Sequence, residues 1–120
     1  MRRKRFIPKP LPEGAVQPFE TAEEAWFWFI RAHKARRDGQ RFEGGGGMMR
    51  PCEADDVYLA ALNLVRAGVL RVFHLRTLLD FGNRERAPDA RVRAESGAAR
   101  LWDEALDRMS TVLRKKGILI

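Results

Sequence analysis

Residues 97–117 read GAARLWDEALDRMSTVLRKKG, and this stretch decides the fold. Its apolar residues recur at spacings of three and four, which is the pattern of an amphipathic helix. They are Ala98, Leu101, Trp102, Ala105, Met109, Val112 and Leu113. Basic residues close the stretch before Gly117, as the negative end of a helix favours. The sequence therefore predicts a long last helix that forms the central packing element.

Three further helices are predicted ahead of it. The first opens at the capping box Thr21-Ala22-Glu23-Glu24 and stops near Gly39. Apolar spacing predicts a second helix over about Glu53–Ala67, ended by Gly68. A third fits Arg71–Phe81, with Gly82 as its stop.

The start of the last helix is open at this stage. It begins at Asp89 and runs through Gly97, or it breaks at Gly97 into two pieces. Either way, the fold class is all-α, with about four helices in a small orthogonal bundle.

Two segments lie outside the predicted helices. Residues 1–20 are predicted to form an extended, basic, proline-rich arm, because proline removes amide donors and disfavours helix. Residues 21–120 form a single helical domain with a glycine-rich loop at 43–50, in which Gly44–Gly47 is a connector. The apolar tail Ile118-Leu119-Ile120 is expected to pack on the core or on a partner.

Composition restricts the class of protein. The chain has 120 residues, a formal charge of +7 and one cysteine, so no intrachain disulfide can form. No run is apolar enough to span a membrane, so no membrane partner is predicted. A basic start followed by prolines does not make a signal peptide, and a cytoplasmic location is expected.

The residues that could carry chemistry are isolated from one another. His33, Cys52 and His74 lack the paired spacing of a metal site, so no metal and no cofactor are predicted. Glu53 and nearby aspartates would raise the pKa of the Cys52 thiol rather than activate it. No catalytic residue is assigned, and the protein is predicted not to be an enzyme.

Four consecutive aromatic residues, Trp26-Phe27-Trp28-Phe29, are unusual for a helix. Trp28 lies about 200° from Trp26 around a helix, so the two cannot share one side. One interpretation is a helix buried on two sides, with Trp28 covered by the arm through Phe6 and Ile7. The other is an interface formed by Trp26, Phe27 and Trp28, with a partner or in a homodimer.

The positive charge is uneven along the chain, as in a nucleic-acid-binding protein, whereas residues 51–82 carry −1. The basic residues at the arm and around the start of the last helix are candidates for phosphate contact. They are Arg2, Arg3, Lys4, Arg5, Arg84, Arg86, Arg91, Arg93 and Arg100. The alternative is that these arginines are simply solvated on loops.

The chain also carries two resemblances. Arg50-Pro51-Cys52-Glu53, Ala87-Pro88-Asp89 and Lys116-Gly117-Ile118 resemble segments of small uncharacterised bacterial proteins, which imply no function. Residues 74–82 and 100–109 are similar to the helix-turn-helix of sigma factor region four and related phage-type activators. This second resemblance implies DNA binding.

Two functions are therefore expected from the sequence. The first is a small nucleic-acid-associated regulatory protein, with DNA as the favoured partner. The second is an adaptor or phage-like structural protein that binds an acidic protein partner through its aromatic patch.

Overall fold

The computed structural model describes residues 16–39 and 49–120. The described residues form four α-helices: α1 (Ala22–Arg37), α2 (Ala54–Arg66), α3 (Val72–Arg84) and α4 (Ser96–Lys115). A short 3₁₀ turn, Arg93–Glu95, leads into α4. Across the described ranges there is no strand, only two isolated bridges. The predicted all-α bundle of four helices is confirmed.

The cap of α1 follows the sequence signal with one difference. The Thr21 hydroxyl accepts a hydrogen bond from the Glu24 amide at 3.1 Å, as predicted. The Glu24 carboxylate reaches back one residue further, to the Glu20 amide, at 3.0 Å. The Thr21 side chain thus satisfies one of the free amides at the helix start, and Gly39 follows the other end of α1 with a φ of 75°.

The core buries α1 on two sides. Trp26 is fully buried, and its indole Nε1 donates to the Leu78 carbonyl oxygen on α3 at 2.8 Å. Trp28 is buried on another side against Phe19, with ring centroids 5.1 Å apart. Phe19 belongs to the last residues of the predicted arm, so a residue of that segment does cover Trp28. The two residues predicted to do so, Phe6 and Ile7, lie outside the described residues.

The prediction that Gly82 ends the third helix is wrong. The helix continues to Arg84 and ends at Glu85, whose φ is 57°. A Cβ atom on Gly82 would lie 2.8 Å from Trp26 Nε1 and 2.9 Å from Ile30 Cδ1. Glycine is therefore required here because α3 crosses close to α1, and not because the chain turns.

The last helix begins at Ser96 and runs through Gly97 without a break. Its buried residues are Ala99, Trp102, Ala105, Met109 and Leu113. The tail beyond it returns to the core, where Ile118 and Leu119 are buried. Two backbone hydrogen bonds join the tail to Phe19. The Phe19 amide donates to the Ile118 carbonyl, and the Phe19 carbonyl accepts from the Ile120 amide. None of the helices in the described ranges has the length and apolar character needed to cross a membrane.

Candidate nucleic-acid interface

The nine basic residues predicted to contact phosphate fall into two sets. Arg2, Arg3, Lys4 and Arg5 lie outside the described residues. The other five lie at the end of α3, in the loop of residues 85–95 that joins α3 to α4, and near the start of α4. Their environments decide whether phosphate could reach them.

Arg86 is held by an acid within the loop. Its guanidinium donates two hydrogen bonds to Glu95, at 2.9 and 2.7 Å, in a bidentate arrangement. Glu95 also accepts from the Asp89 amide at 2.9 Å. These hydrogen bonds, from Arg86 first, lower the pKa of Glu95 to about 2. A phosphate group would have to displace a carboxylate that remains ionised at neutral pH.

Arg91 and Arg84 are also partnered. Arg91 donates to both carboxylate oxygens of Asp89, each at 3.1 Å, and this lowers the pKa of Asp89. Arg84 donates to Asp80, one helical turn before it, at 3.3 Å. Three of the five predicted contacts are therefore neutralised within the chain.

Arg93 and Arg100 are exposed, and neither forms an ion pair with any described residue. However, the first turns of α4 also carry Asp103, Glu104 and Asp107. A phosphate backbone lying along this part of α4 would meet carboxylates as well as Arg100. Of the five predicted arginines, only Arg93 and Arg100 lack an ion-pair partner among the described residues.

A different set of arginines forms no ion pair with the described residues. Residues 57–79 contain no Asp or Glu, and they cover most of α2, the turn after it and the first half of α3. Their three basic residues, Arg66, Arg71 and Arg76, are all exposed, and none is ion-paired with the described residues. We call residues 66–76 the α2–α3 corner.

The sequence prediction missed the α2–α3 corner because it counted residues 51–82 together as −1. The acids in that count lie at the two ends of the segment. Glu53, Asp55 and Asp56 lie at the start of α2, and Asp80 is paired with Arg84. The acid-free run itself was the signal that could have revealed the corner.

The packing of α3 leaves one of its faces uncovered. At about 100° per residue, His74, Leu78 and Gly82 fall on the sides of α3 that are buried against other helices. Val72, Phe73 and Arg76 fall on the opposite side and are exposed. The corner thus combines an uncovered helix face with unpaired arginines.

His74 fixes the start of α3 from beneath. Its ring Nδ1 accepts a hydrogen bond from the Arg71 amide at 3.0 Å, so the proton is on Nε2, which donates to Glu104 Oε1 at 2.9 Å. The hydrogen bond from His74 lowers the pKa of Glu104. The turn before α3 is anchored as well, because Leu70 is buried. The corner is therefore a fixed part of the bundle.

The predicted aromatic interface does not form an exposed surface. Trp26 and Trp28 are core residues, and Phe27 is half-buried with its ring 5.6 Å from that of Trp102. Because the helix is buried on two sides, Trp26 and Trp28 are closed to a partner and only Phe27 is partly exposed. The exposed aromatic side chain of the corner is Phe73, whose ring lies 6.0 Å from the Arg71 guanidinium.

The single cysteine is not placed for nucleophilic chemistry. Burial, followed by the charges of Asp56 and Glu53, raises the pKa of the half-buried Cys52 thiol to about 11. The thiolate is the reactive form, so very little of it is present at neutral pH. In the part of the chain that the structure describes, no three His, Cys, Asp or Glu side chains are grouped to hold a metal ion.

No protein-family model, no curated protein and no solved structure significantly matches this chain. The resemblances noted in the sequence remain predictions.

Proposed function

We propose that this protein is a small nucleic-acid-binding regulatory protein, with DNA as the favoured partner and the α2–α3 corner as its contact surface. The observation that supports it is the corner itself. Arg66, Arg71 and Arg76 are exposed there without an acidic partner, next to an uncovered helix face. Such arginines gain most from phosphate, because no internal ion pair has to be broken.

The connection between the two helices also suits DNA. A helix-turn-helix unit joins two helices by a short turn, often with a glycine, and places the second helix in the major groove. Here residues 67–71 join α2 to α3 and include Gly68. Residues 85–95 separate α3 from α4, which is long for such a turn. We therefore assign DNA contact to the pair α2 and α3, whereas the sequence resemblance pointed to segments in α3 and α4.

In this arrangement, α3 is the helix that meets the bases. Arg76 on its outer face can donate to a guanine edge, and Val72 can contact a thymine methyl group. Arg71 and Arg66, at the turn, would contact backbone phosphates. Residues 1–15 carry a net charge of +4, which would add salt-dependent affinity as an accessory arm.

The test is a comparison of two double variants with the same loss of charge. Arg71→Gln/Arg76→Gln removes cations from the corner, and Arg86→Gln/Arg91→Gln removes paired cations from the α3–α4 loop. Binding of a labelled DNA duplex is measured by fluorescence anisotropy over a series of salt concentrations. The corner variant is expected to bind more weakly and to reduce the salt slope by about one for each lost phosphate contact. The loop variant should bind nearly as the wild type does.

Three results would count against the proposal. It fails if the wild-type protein binds neither duplex DNA nor RNA at low salt. The corner assignment fails if the loop variant loses as much affinity as the corner variant. If single-stranded RNA binds more tightly than duplex DNA under the same conditions, the preference for DNA is wrong.

One observation favours a second function, that of a protein-interaction adaptor. Val69, Val72 and Phe73 are all exposed at the corner, between the arginines. Apolar and aromatic residues bordered by arginine are typical of protein interfaces, and the arginines would attract an acidic partner. In that case Phe73→Ser would abolish partner binding, whereas on DNA it would reduce affinity less than Arg71→Gln/Arg76→Gln.

A further inference from the structure

A concave surface formed by the described residues lies outside the α2–α3 corner. It is an open cleft of about 940 Å³ between α1, α2 and α3. Phe29 and Ile30 of α1 form its base, and Leu59 of α2 and Leu79 of α3 form its walls. Clefts of this size with an apolar base and few polar groups are the usual form of small-molecule sites.

The base of this α1–α2–α3 cleft carries a stacked pair of aromatic rings. The rings of Phe29 and Tyr58 lie nearly parallel, at 22°, with their centroids 5.4 Å apart. The His33 ring lies 5.9 Å from Phe29 along the same helix. Because aromatic rings prefer offset-stacked or edge contacts with other rings, this base favours a planar aromatic group over a branched aliphatic one.

Polar groups at the rim are available to a ligand. Neither the Tyr58 hydroxyl nor the Asn83 side-chain amide has a hydrogen-bond partner among the residues described. Both can donate a hydrogen bond to an oxygen atom of a ligand in the cleft. The cleft therefore provides donors above an apolar base.

The charges at the rim favour an anion. Arg36 closes one end of the cleft and binds Asp55 through two hydrogen bonds, at 3.1 and 2.8 Å, so that carboxylate is already neutralised. Arg37 forms only a long ion pair, in which its Nε lies 3.7 Å from Asp38 Oδ1, beyond hydrogen-bond distance. A ligand carboxylate can therefore bind the Arg37 guanidinium, whereas a ligand ammonium group would face two arginines, and Asp55 in the cleft lining is already paired.

We propose that this cleft binds a planar aromatic carboxylate, with the ring packed against the stacked pair of Phe29 and Tyr58 and the carboxylate at Arg37. This site is separate from the α2–α3 corner and does not depend on nucleic-acid binding.

The test compares three probes of similar shape, namely naphthoate, naphthylmethanol and naphthylmethylamine. Each is titrated against the full chain by calorimetry, without nucleic acid. Naphthoate is expected to bind about tenfold more tightly than the alcohol, a difference typical of one charge-assisted hydrogen-bond pair, and the amine should bind weakest. Arg37→Gln should bring naphthoate down to the affinity of the alcohol and leave the alcohol unchanged.

Two further variants test whether the probes bind in this cleft. Leu59 and Val92 are each 44% exposed, but only Leu59 lines the cleft. Leu59→Glu should abolish naphthoate binding by placing a carboxylate in the cleft, and Val92→Glu should leave it intact. The proposal is overturned if the three probes bind equally or if Leu59→Glu binds naphthoate as the wild type does. Binding of DNA is measured separately, so either proposal can fail without the other.

Discussion

The α2–α3 corner and the loop between α3 and α4 both carry three arginines, but they use them differently. In the loop, Arg86 and Arg91 are bound by Glu95 and Asp89, and these ion pairs hold an irregular segment in shape. In the corner, the shape is set from beneath by His74 and Leu70, which leaves the arginines without internal partners. The arginines of the corner remain available to a ligand because buried contacts fix the backbone there. In the loop, the ion pairs that fix the backbone occupy Arg86 and Arg91.

This difference predicts that substitutions behind the corner destabilise the protein more than substitutions in the loop. Buried contacts contribute more to stability than exposed ion pairs, whose worth is typically below about 1 kcal/mol. The following predictions test that ranking, beginning with the contact that holds α3 against α1.

Gly82→Val should cause the largest loss of stability. Its side chain would enter the space of Trp26 and Ile30, which lie within 2.9 Å of the position of a Cβ atom. Overpacking of this kind costs about 3 kcal/mol, measured as the free energy of unfolding in urea. Gly97→Val is the matched control, because nothing lies within 4 Å of the position of a Cβ atom at residue 97. The close approach would be disproved if both variants unfolded at the same urea concentration.

His74→Leu should have the next largest effect. The substitution leaves the Arg71 amide without an acceptor and removes the hydrogen bond to Glu104. Losing these bonds at a part-buried helix start should cost about 2 kcal/mol in urea unfolding. His74→Gln should cost less, because glutamine at this position can still accept from the amide. Equal losses for the two variants would contradict the capping role.

Glu95→Gln tests the loop through its dependence on pH. The pKa of Glu95 in the folded protein, about 2, lies below its ordinary value of 4.5. The ionised carboxylate therefore stabilises the fold above about pH 4.5, and this contribution is lost as the pH falls towards 2. In urea unfolding, the variant should be less stable than the wild type at pH 7, and the difference should shrink steadily below pH 4.5. A difference that stays constant with pH would contradict the ion pair with Arg86.

Arg91→Gln should have the smallest effect. The Arg91 side chain is 90% exposed, so water screens its pair with Asp89. We expect a change in unfolding free energy below about 0.5 kcal/mol, within the usual range for surface sites. A loss as large as that of His74→Leu would mean that the loop, like the corner, depends on buried contacts.

The elements of the fold were predictable because their signals are local. The cap at Thr21, the acidic start of α2 and the apolar stripe of α4 each lie within a few residues. The role of Gly82 was not predictable from sequence, because a glycine near the end of a helix can either terminate that helix or allow another helix to cross close to it. Only the position of Trp26, more than fifty residues earlier in the chain, distinguishes the two.

The candidate site was less predictable than the fold. The sequence does not show whether an arginine forms an ion pair in the fold. The partner of Arg86, for example, lies nine residues away across an irregular loop. The cover of Trp28 by Phe19 likewise depends on how the chain enters α1. In contrast, the acid-free run over residues 57–79 was visible in the sequence and marks the corner.

The pairing of Phe19 with Leu119 has a topological consequence. It places residue 19 beside residue 119, so the polypeptide that enters α1 and the polypeptide that leaves α4 are neighbours in space. The helices could therefore pack in the same way even if they followed one another in a different order along the chain. A circular permutant that joins these two points through a short linker and opens in the loop before α4 would keep the same bundle. In that molecule α4 would come first, and the α2–α3 corner would remain uninterrupted.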